Sequence, residues 1–587
     1  MQDSNNKQPP PFPVALQGGA LYQGLVGLLR KGSYRLPLLR QDAMAALIVT
    51  LLLIPQSLAY ALLAGLPLQA GLYASILPAI AYALVGSSGV LAVGPVAITS
   101  LLTFSALSPL ATPGSPEYLT LAMLLAGLSG LCLLVMGALR MGFLANFLSH
   151  PVMSAFVSAS AVIILLGQLK GITAIPVESG TLPVLLCSLV REAHQVHGLT
   201  LLLGSSFVVF LWVMRQKLAV WLQAAGLAAG KAMLAARMAP LVLLIAATLI
   251  VAAFDLDQQG VQVVGDLPVG LPELALPTFS TELALALLPL AMMISLIGFA
   301  ESVAIARTLA AQRKQQVNPN RELLGLGLAN LAAGLSSSFP VTGGLSRTVV
   351  NKDAGALTPM ASLLTGLGML LVLLFFTGWL YYLPRAMLSA VILVAVVSLV
   401  DWKQLPRLWR FSRGDAWAWI ATALGVLFLG LELGLLLGVF VSLAAWLAKN
   451  SRPHVAVVGR VPGTEHYRNI QRYQVEIDPR ILTLRIDESL MFANAQEVEQ
   501  RVLSEVSQRE EVKQVVLMGS GINHIDASGV DMLEQLNLLL KEQGICLHLS
   551  EIKGPVLDRL NASRLLEELS GQVFLTQHQA MRTLKKP

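Results

Sequence analysis

The stretches SSSFPVTGGLSRT at residues 336–348 and GVLAVGPVAITS at residues 89–100 decide the fold of this chain. Each places glycine and proline inside a long apolar region, which predicts a short extended piece that becomes a helix at mid-membrane depth. Backbone without helical hydrogen bonds is tolerated at this depth only where protein or a cavity surrounds it. Two such interruptions at matching positions of two halves therefore indicate a binding site between them.

The composition is that of a membrane protein with a soluble C-terminal part. Charged residues make up only 13% of the chain and hydrophobic residues 55%, whereas ordinary soluble domains are about 25% charged. The sequence predicts a cytoplasmic N-terminal tail at 1–40, a transmembrane domain at 41–449, and a linker with a soluble domain at 450–587. No cofactor or metal is expected, because the three cysteines have no metal-binding spacing.

Fourteen apolar segments are candidate membrane spans, since a crossing helix needs about 20 residues. The segments are 42–64, 72–86, 94–108, 118–139, 143–168, 198–216, 238–254, 283–309, 321–336, 342–353, 357–378, 384–400, 416–430 and 432–448. The third and the tenth are half-length helices that contain the two interruptions. The sequence therefore predicts an α-helical polytopic membrane protein of seven plus seven spans in an inverted repeat, with two half-helices.

Basic residues indicate the orientation of these spans, because cytoplasmic loops are enriched in Lys and Arg. Here they follow even-numbered spans, at Arg140, Arg215, Lys217, Lys231, Arg237, Arg313, Lys314, Arg321, Lys403, Arg407, Arg410 and Arg413. The long loop 255–282 after span seven contains acidic residues but no Lys or Arg. We expect both termini in the cytoplasm of a bacterial-type inner membrane. The net charge of +6 reflects this orientation, and no nucleic-acid partner is expected.

The two half-helices begin from opposite faces of the membrane, and their N-termini point to one place near its middle. Pro95 suits the first helical position, because its missing N–H would lack a helical partner anyway. Gly343 and Gly344 would allow backbone N–H groups to approach a ligand. Opposed helix N-termini favour a negative ligand. The sequence therefore indicates an anion transporter, with two kinks that only aid packing as the alternative.

The chain resembles the SulP (sulfate permease) family of anion transporters over residues 35–575. The matching motifs are Pro67-Leu-Gln-Ala-Gly-Leu-Tyr-Ala-Ser75, Gly86-Ser-Ser88, Gly94-Pro-Val-Ala97, Phe147-Leu-Ser-His-Pro-Val152, Gly298-Phe-Ala-Glu-Ser302, Gly327-Leu-Ala-Asn330, Phe339-Pro-Val-Thr-Gly343 and Ser346-Arg-Thr348. One departure is Gly89, where the family usually has a basic residue. The resemblance implies seven plus seven inverted spans, a core that carries the anion, a gate against which the core moves, and a homodimer.

The residues around the substrate follow from the interruptions and from this resemblance. Gln56 and Tyr60 share one face of the first span, and the matching positions border the substrate in relatives. An amide in lipid is costly, so Gln56 faces either a cavity or the backbone of a neighbouring helix. The expected substrate-binding residues are Gln56, Tyr60, Pro95, Val96, Ala97, Thr99, Thr342, Gly343, Gly344, Leu345, Ser346 and Arg347.

Glu301 lies deep in the eighth span, with apolar residues on both sides. A carboxylate at this depth is costly unless it is paired or protonated. Protonation would remove its repulsion with an arriving anion, so proton symport is the simplest mechanism and Glu301 is the expected coupling residue. Relatives with an acid here use either a proton or sodium. Arg347 either adds positive charge to the anion site or neutralises Glu301 as a structural pair.

Short strands and helices alternate after the basic linker 449–453, which predicts a cytosolic α/β unit with a largely parallel sheet. This unit resembles the STAS domain, which ends SulP transporters and also forms bacterial anti-sigma antagonists. The turn Asp526-Ala-Ser-Gly529 matches the phosphorylation turn of the antagonists, so Ser528 is a regulatory candidate. The alternative is that Ser528 is only the N-cap of a helix.

The residues leave several functions open. Sulfate, bicarbonate, chloride and dicarboxylates all fit converging helix N-termini with one cation. A passive anion channel is the main alternative, although a channel would gain nothing from the buried acid Glu301. A sodium-coupled bicarbonate transporter and a membrane-anchored regulator that signals through its soluble domain are further alternatives. No enzymatic activity is predicted.

Overall fold

The computed structural model describes residues 36–146, 149–178, 180–268, 270–272, 274–275, 280–313 and 315–585. Residues 1–35 of the predicted N-terminal tail lie outside these ranges, as do Phe147 and Leu148 of one motif and Lys314 of one basic loop. The chain forms two compact units, which divide between Phe440 and Val441. The division falls inside a continuous helix that ends at Asn450, next to the predicted domain boundary at 449.

The first unit is helical apart from two very short strands. Its elements are α1 (Leu36–Leu63), α2 (Leu68–Tyr73), α3 (Leu77–Val85), β1 (Val93–Gly94), α4 (Ala97–Leu107), α5 (Pro116–Ala138), α6 (His150–Gly167), α7 (Leu169–Thr173), α8 (Leu182–Arg191), α9 (Gly198–Val213), α10 (Ala219–Ala224), α11 (Ala229–Arg237), α12 (Ala239–Ala253), α13 (Thr281–Ala311), α14 (Pro319–Leu335), β2 (Thr342–Gly343), α15 (Leu345–Asp353), α16 (Met360–Phe375), α17 (Arg385–Val396), α18 (Gln404–Phe411), α19 (Arg413–Leu429) and α20 (Leu431–Asn450). Short 3₁₀ or π turns extend several of these helices, as at Met214–Leu218 and Val397–Leu399.

Every predicted span coincides with a helix, or with a broken pair of helices, in this unit. Among the described residues, 8 helices are long and apolar enough to cross a membrane, or 9 if α11 and the bent continuation α12 count as one span. Helix ends differ from the predictions by a few residues; α1, for example, begins at Leu36 rather than at residue 42. The prediction of a helical polytopic membrane protein is confirmed.

The two interruptions pair with each other in the structure. β1 and β2 form an antiparallel ladder in which Val93 faces Gly343 and Gly94 faces Thr342. Because α4 follows β1 and α15 follows β2, the two half-helices begin at opposite ends of this short ladder. The extended backbone that the glycines and prolines predicted is therefore hydrogen-bonded across the two halves of the chain.

The starts of both half-helices differ from those predicted. Pro95 is not the first helical residue, because Val96 is extended with φ −137° and ψ 148°, and α4 begins at Ala97. The second half-helix, α15, begins at Leu345 rather than near Thr342, because Thr342 is held in the ladder. Strand pairing thus delays each helix by two or three residues relative to the sequence prediction.

The helices of the first unit pack in two clusters. In the core cluster, α14 packs against α5 and α3, α13 packs against α5, and α16 packs against α1 and α3. In the gate cluster, α19 packs against α6, and α17 packs against α9 and α7. The half-helices α4 and α15 both pack on α1, which also contacts α12 and α17 of the gate cluster. The half-helices therefore belong to the core, close to its boundary with the gate.

The second unit contains one mixed sheet with helices between its parallel strands. Its further elements are β3 (Val455–Arg460), β4 (Tyr467–Asn469), β5 (Ile481–Ile486), α21 (Ala495–Ser507), β6 (Gln514–Met518), α22 (Ala527–Glu542), β7 (Cys546–Ser550), α23 (Gly554–Asn561), α24 (Leu565–Glu568), β8 (Val573–Phe574) and α25 (Gln577–Leu584). The sheet order is β4-β3-β5-β6-β7-β8, with β5 to β8 parallel and β3 antiparallel to both its neighbours. Alternating strands and helices produce this arrangement, because a parallel pair needs a crossover.

Candidate substrate site

A cavity of about 520 Å³, the central cavity, lies between the core and gate clusters. Helices α1, α4, α13 and α15 line it from the core, and α9, α11 and α17 line it from the gate side. The predicted residues Gln56, Tyr60, Val96, Ala97, Glu301, Gly344, Leu345, Ser346 and Arg347 line this cavity, whereas Pro95, Thr99, Thr342 and Gly343 do not. The structure thus brings most of the predicted site together in one place.

Arg347 is the most unusual side chain of the central cavity. It is 2% exposed, and its Nη1 and Nη2 have no hydrogen-bond partner within the part of the chain that the structure describes. A β-carbon added at Gly94 would lie 2.5 Å from Nη1, and one added at Gly344 would lie 2.9 Å from Nη2. These two glycines therefore make room for the guanidinium between the ends of the half-helices. A buried cation without a partner is costly, so a negative ligand would stabilise it.

Two backbone donors that the sequence assigned to the ligand have other partners. The Gly343 N–H donates to Ser302 Oγ at 2.9 Å, and the Gly344 N–H donates to Ala92 O at 3.1 Å. The expectation that these two N–H groups approach a ligand is therefore wrong for this conformation. The Thr342 hydroxyl is also used, since it donates to Gly298 O at 2.7 Å. These groups hold the extended segment in place.

The backbone donors that face no acceptor in their own helix are those of the first turns. The first helical hydrogen bonds run from the Ser100 N–H to Val96 O in α4 and from the Thr348 N–H to Gly344 O in α15. The N–H groups of residues 97–99 and 345–347 therefore have no acceptor within their own helix. Neither helix has a side-chain cap. Such N–H groups, together with the helix dipoles, favour an anion at the N-termini.

Glu301, Gln56 and Tyr60 surround this position. The carboxylate of Glu301 lines the central cavity on α13, and Gln56 and Tyr60 are buried on α1 beside it. Arg347 forms no ion pair with any carboxylate of the described residues within 4.0 Å. Arg347 and Glu301 therefore do not form the close structural pair that was the alternative, at least within 4.0 Å in this conformation. Both side chains remain available to mobile ions.

Sequence reasoning missed the residues that hold the second interruption. Asn330 on α14 donates from Nδ2 to Val341 O at 2.9 Å and accepts from the Val341 N–H at 2.9 Å. Ser302, the residue after Glu301, bonds to the Thr342 hydroxyl at 2.7 Å. Single polar residues inside apolar spans were the available signal, because an unsatisfied polar group is costly in lipid.

Glu322 is another residue that the sequence prediction overlooked. It is fully buried at the start of α14. Its carboxylate accepts hydrogen bonds from Tyr82 Oη at 2.8 Å, Ser87 N at 2.8 Å, Ser87 Oγ at 2.6 Å and Ser88 N at 3.1 Å. Glu322 thereby fixes the turn that leads into β1, and through β1 the position of α4.

Ser528 is exposed in the first turn of α22, as a modification site must be. The N-cap of α22 is Asp526, whose Oδ1 accepts from the Gly529 N–H at 2.9 Å and whose Oδ2 accepts from the Phe492 N–H at 2.9 Å. The alternative that Ser528 is the N-cap is therefore wrong, because the aspartate before it already occupies that position.

These features define a class of protein: a polytopic helical transporter with half-helices that meet at a buried cation, joined to a STAS-type α/β unit. Residues 39–422 match the Sulfate permease family, and residues 472–580 match the STAS domain. The chain therefore belongs to the sulfate permease family, whose members are transporters and not enzymes, and the resemblance noted from its motifs is confirmed.

Two relatives match most of this chain at 37% and 34% identity. A probable sulfate transporter 4.2 of Arabidopsis thaliana is 37% identical over 92% of this chain and 80% of its own length. A probable sulfate transporter of Mycobacterium tuberculosis is 34% identical over 95% of this chain and 98% of its own length.

Solved structures share the fold at lower sequence identity. The inward-facing structure of the murine solute carrier 26 family member A9 anion transporter has a TM-score of 0.87 and 22% identity, and the match covers 100% of this chain and 97% of that one. The transmembrane domain of the cyanobacterial bicarbonate transporter BicA has a TM-score of 0.58 and 21% identity, and the match covers 70% of this chain and 98% of that one. The helical transport fold with a C-terminal STAS domain is thereby confirmed.

Proposed function

We propose that this protein is a secondary active transporter of small anions, with sulfate as the first candidate, and that it moves the anion together with a proton as the core cluster moves against the gate cluster. The relatives named as sulfate transporters support the choice of sulfate. The observation that carries the proposal is the buried guanidinium of Arg347 in the central cavity, whose Nη1 and Nη2 have no hydrogen-bond partner among the described residues.

The charges of the central cavity favour an oxyanion with more than one negative charge. Among the described residues, Arg215, Arg237 and Arg347 line it together with the single carboxylate of Glu301. Asp353, outside this wall, pairs with Arg237 at 2.8 Å, so Arg215 and Arg347 are the two arginines without a described carboxylate partner. A guanidinium presents two parallel N–H groups that match two oxygens of one oxyanion, and such charge-assisted bonds are stronger than neutral ones. The first-turn N–H groups of α4 and α15 supply further donors. Sulfate meets all of these requirements, and a dicarboxylate meets them with one of its ends.

Glu301 supports coupling to a proton. It lines the same cavity as Arg347 but is not ion-paired with it. An ionised Glu301 would repel an anion at Arg347, whereas a protonated Glu301 would not. Binding of a proton and binding of an anion therefore favour each other, which is the thermodynamic requirement for symport.

The test is uptake of labelled sulfate by vesicles that contain the purified full-length protein, with imposed proton or sodium gradients. We expect uptake to follow the proton gradient. Arg347→Gln should lower it at least about tenfold, because hydrogen bonds to a charged group contribute roughly 1.5–3 kcal/mol. Glu301→Gln should retain sulfate exchange and lose the response to the proton gradient.

The control is Arg480→Gln, because Arg480 is an exposed arginine of the second unit that pairs with Asp478 at 3.6 Å and does not line the central cavity. Uptake by this variant should equal that of the unmodified protein. Full uptake by Arg347→Gln would contradict the anion site. Uptake that follows the sodium gradient would make sodium, rather than the proton, the coupled ion. A sulfate conductance that does not respond to either gradient would indicate a channel.

The same proposal includes orientation, assembly and regulation. The basic loops support cytoplasmic termini and hence a cytosolic STAS domain in a bacterial-type plasma membrane. The family resemblance supports a homodimer. The exposed position of Ser528 beside the capped N-terminus of α22 supports regulation by phosphorylation, since a helix N-terminus stabilises added negative charge.

A further inference from the structure

A second cavity, of about 310 Å³, lies at the other end of the half-helix α4. Ala97 and Ile98 at the start of α4 line the central cavity, whereas Phe104 and Ser105 near its end line the second cavity. With 11 residues, α4 is about 16 Å long. We call this second space the Lys170 cavity, after the charged residue in its wall.

The Lys170 cavity lies along the same boundary between clusters as the central cavity. Leu63 and Ser108 line it from the core, and Ile163 and Gln168 line it from α6 and the residue that follows α6, in the gate cluster. On α1 the two cavities are separated by less than one turn, because Tyr60 lines the central cavity and Leu63 lines the other. The two spaces therefore form a line across the membrane domain, interrupted near Tyr60.

Lys170 provides the charge in the described part of this wall. Among the described residues that line the cavity, Lys170 alone is charged, and no carboxylate of the described chain lies within 4.0 Å of its Nζ. Its Nζ lies 6.0 Å from the centre of the Phe104 ring. Glu178 and Glu192, which flank the helix α8 in the same wall, both pair with Arg191. A half-buried ammonium without a partner favours a mobile anion.

Neutral donors complete the wall of the cavity. The hydroxyls of Ser105, Ser108 and Thr181 and the amide of Gln168 line it beside Lys170. One cation with several neutral donors can bind a small oxyanion, but with less positive charge than Arg215 and Arg347 bring to the central cavity. Weak binding suits a position that an ion occupies in passing, since a transported ion must also leave.

We propose that the Lys170 cavity is a second anion-binding site, at which the transported oxyanion binds when it enters or leaves on the face opposite to the basic loops. The inference rests on the proposed transport function, which supplies the anion. The ends of α1 and α6 that reach this cavity are their C-terminal ends, which the distribution of basic residues assigns to the outer face.

The test compares labelled sulfate uptake by intact cells that contain the full-length protein with uptake by inside-out vesicles from the same cells. Lys170→Gln should raise the half-saturating sulfate concentration at the outer face about tenfold and change that at the inner face less than twofold. Lys170→Arg should restore the outer value, because it keeps the cation. Lys231→Gln is the matched control, since Lys231 is an exposed lysine outside both cavities.

Equal changes on both faces, or no change on either, would overturn the inference. An anionic lipid headgroup could bind Lys170 by the same chemistry. In that case Lys170→Gln would change the uptake rate only in membranes with anionic lipid and would leave the half-saturating sulfate concentration at the outer face unchanged. That result would also overturn the inference. Arg347→Gln distinguishes failure of this inference from failure of the proposed transport function. If Arg347→Gln loses uptake while Lys170→Gln changes the half-saturation equally on both faces, only the inference about the Lys170 cavity fails. Loss of folded protein is excluded by equal elution of the variants from a sizing column.

Discussion

The guanidinium of Arg347 is buried, and its Nη1 and Nη2 have no partner in the described part of the chain, a combination that is costly in a folded protein. Gly94 and Gly344 provide space beside it but no acceptor for Nη1 or Nη2. The guanidinium therefore lies between the N-terminal ends of the two half-helices, beside Gly94 and Gly344. We infer that the anion contacts Arg347 directly and that the helix N-termini act on the anion through this side chain and the first-turn N–H groups.

Gly344→Ala should weaken sulfate binding without unfolding the protein. The backbone of Gly344 has φ −100°, which alanine adopts without strain. The added β-carbon would lie 2.9 Å from Nε and Nη2 of Arg347, so the flexible guanidinium must move. We expect the half-saturating sulfate concentration to rise about tenfold, equivalent to about 1.4 kcal/mol.

Gly127→Ala is the control for this variant, because nothing lies within 4 Å of a β-carbon added at Gly127 on α5. Both variants should keep the thermal midpoint of the purified protein within a few degrees. If Gly344→Ala and Gly127→Ala transport sulfate with the same half-saturation, the position of the guanidinium does not set the affinity.

The sequence predicted Arg347, Glu301 and Gln56 as site residues because charged and amide side chains are costly in an apolar span, and all three line the central cavity. It assigned the N–H groups of Gly343 and Gly344 to a ligand, whereas in the structure both bond within the protein, and Gly344 makes room for the guanidinium of Arg347. It also gave no sign that the N–H of Gly343 would bond to Ser302 Oγ, since partners far apart in sequence cannot be derived from one chain.

At the scale of elements, the interruptions show that short local signals can predict broken helices but not their exact ends. Gly94-Pro95 and Gly343-Gly344 predicted extended backbone, which the structure has. The helices nevertheless begin later than predicted, because β1 and β2 pair with each other. In the second unit the predicted alternation of strands and helices is present, with β5 followed by α21 and β6 by α22.

The β7 strand of the second unit should become less stable as the pH falls below about 6.5. His548 is buried on β7, and burial lowers its pKa from the ordinary value of 6.5. Its Nδ1 accepts from the Gln572 N–H at 2.9 Å, and its Nε2 bonds to Gln514 Oε1 at 2.5 Å. The folded state therefore holds a neutral ring, while the unfolded state takes up a proton, so acid favours unfolding.

Hydrogen exchange of the β6 and β7 amides in the full-length protein would measure this effect. After correction for intrinsic exchange rates, protection should fall between pH 7.5 and pH 5.5. His548→Gln should lower protection at pH 7.5, since a bond is lost, and should flatten its dependence on pH. An unchanged slope in the variant would assign the pH dependence to another group.

At the scale of the whole first unit, the proposed transport depends on an interface that the sequence does not reveal. The central cavity and the Lys170 cavity both lie between the core and gate clusters, and the clusters are defined by contacts between distant spans. Hydropathy located the spans because each must cross the membrane. It could not tell which spans pack together, because lipid-facing and helix-facing residues are equally apolar.

An ion pair across this interface gives a way to test whether the clusters move. Arg237, at the end of α11 and next to the gate helix α12, pairs with Asp353 at the end of the core half-helix α15 at 2.8 Å. The pair stabilises the present conformation and must break if the core slides past the gate. Asp353 does not line the central cavity, whereas its partner Arg237 does, so Asp353 is the partner to change first.

Asp353→Asn should therefore speed sulfate exchange at saturating concentration, by up to about fivefold, because partly exposed ion pairs contribute at most about 1 kcal/mol. The half-saturating sulfate concentration should change less than twofold. The double variant Arg237→Gln/Asp353→Asn should exchange sulfate at nearly the same rate as Arg237→Gln alone, because the ion pair is already broken in the single variant. If Asp353→Asn exchanges sulfate at the unmodified rate, the pair does not open in the rate-limiting step, and motion of the core against the gate at this contact would have to be abandoned.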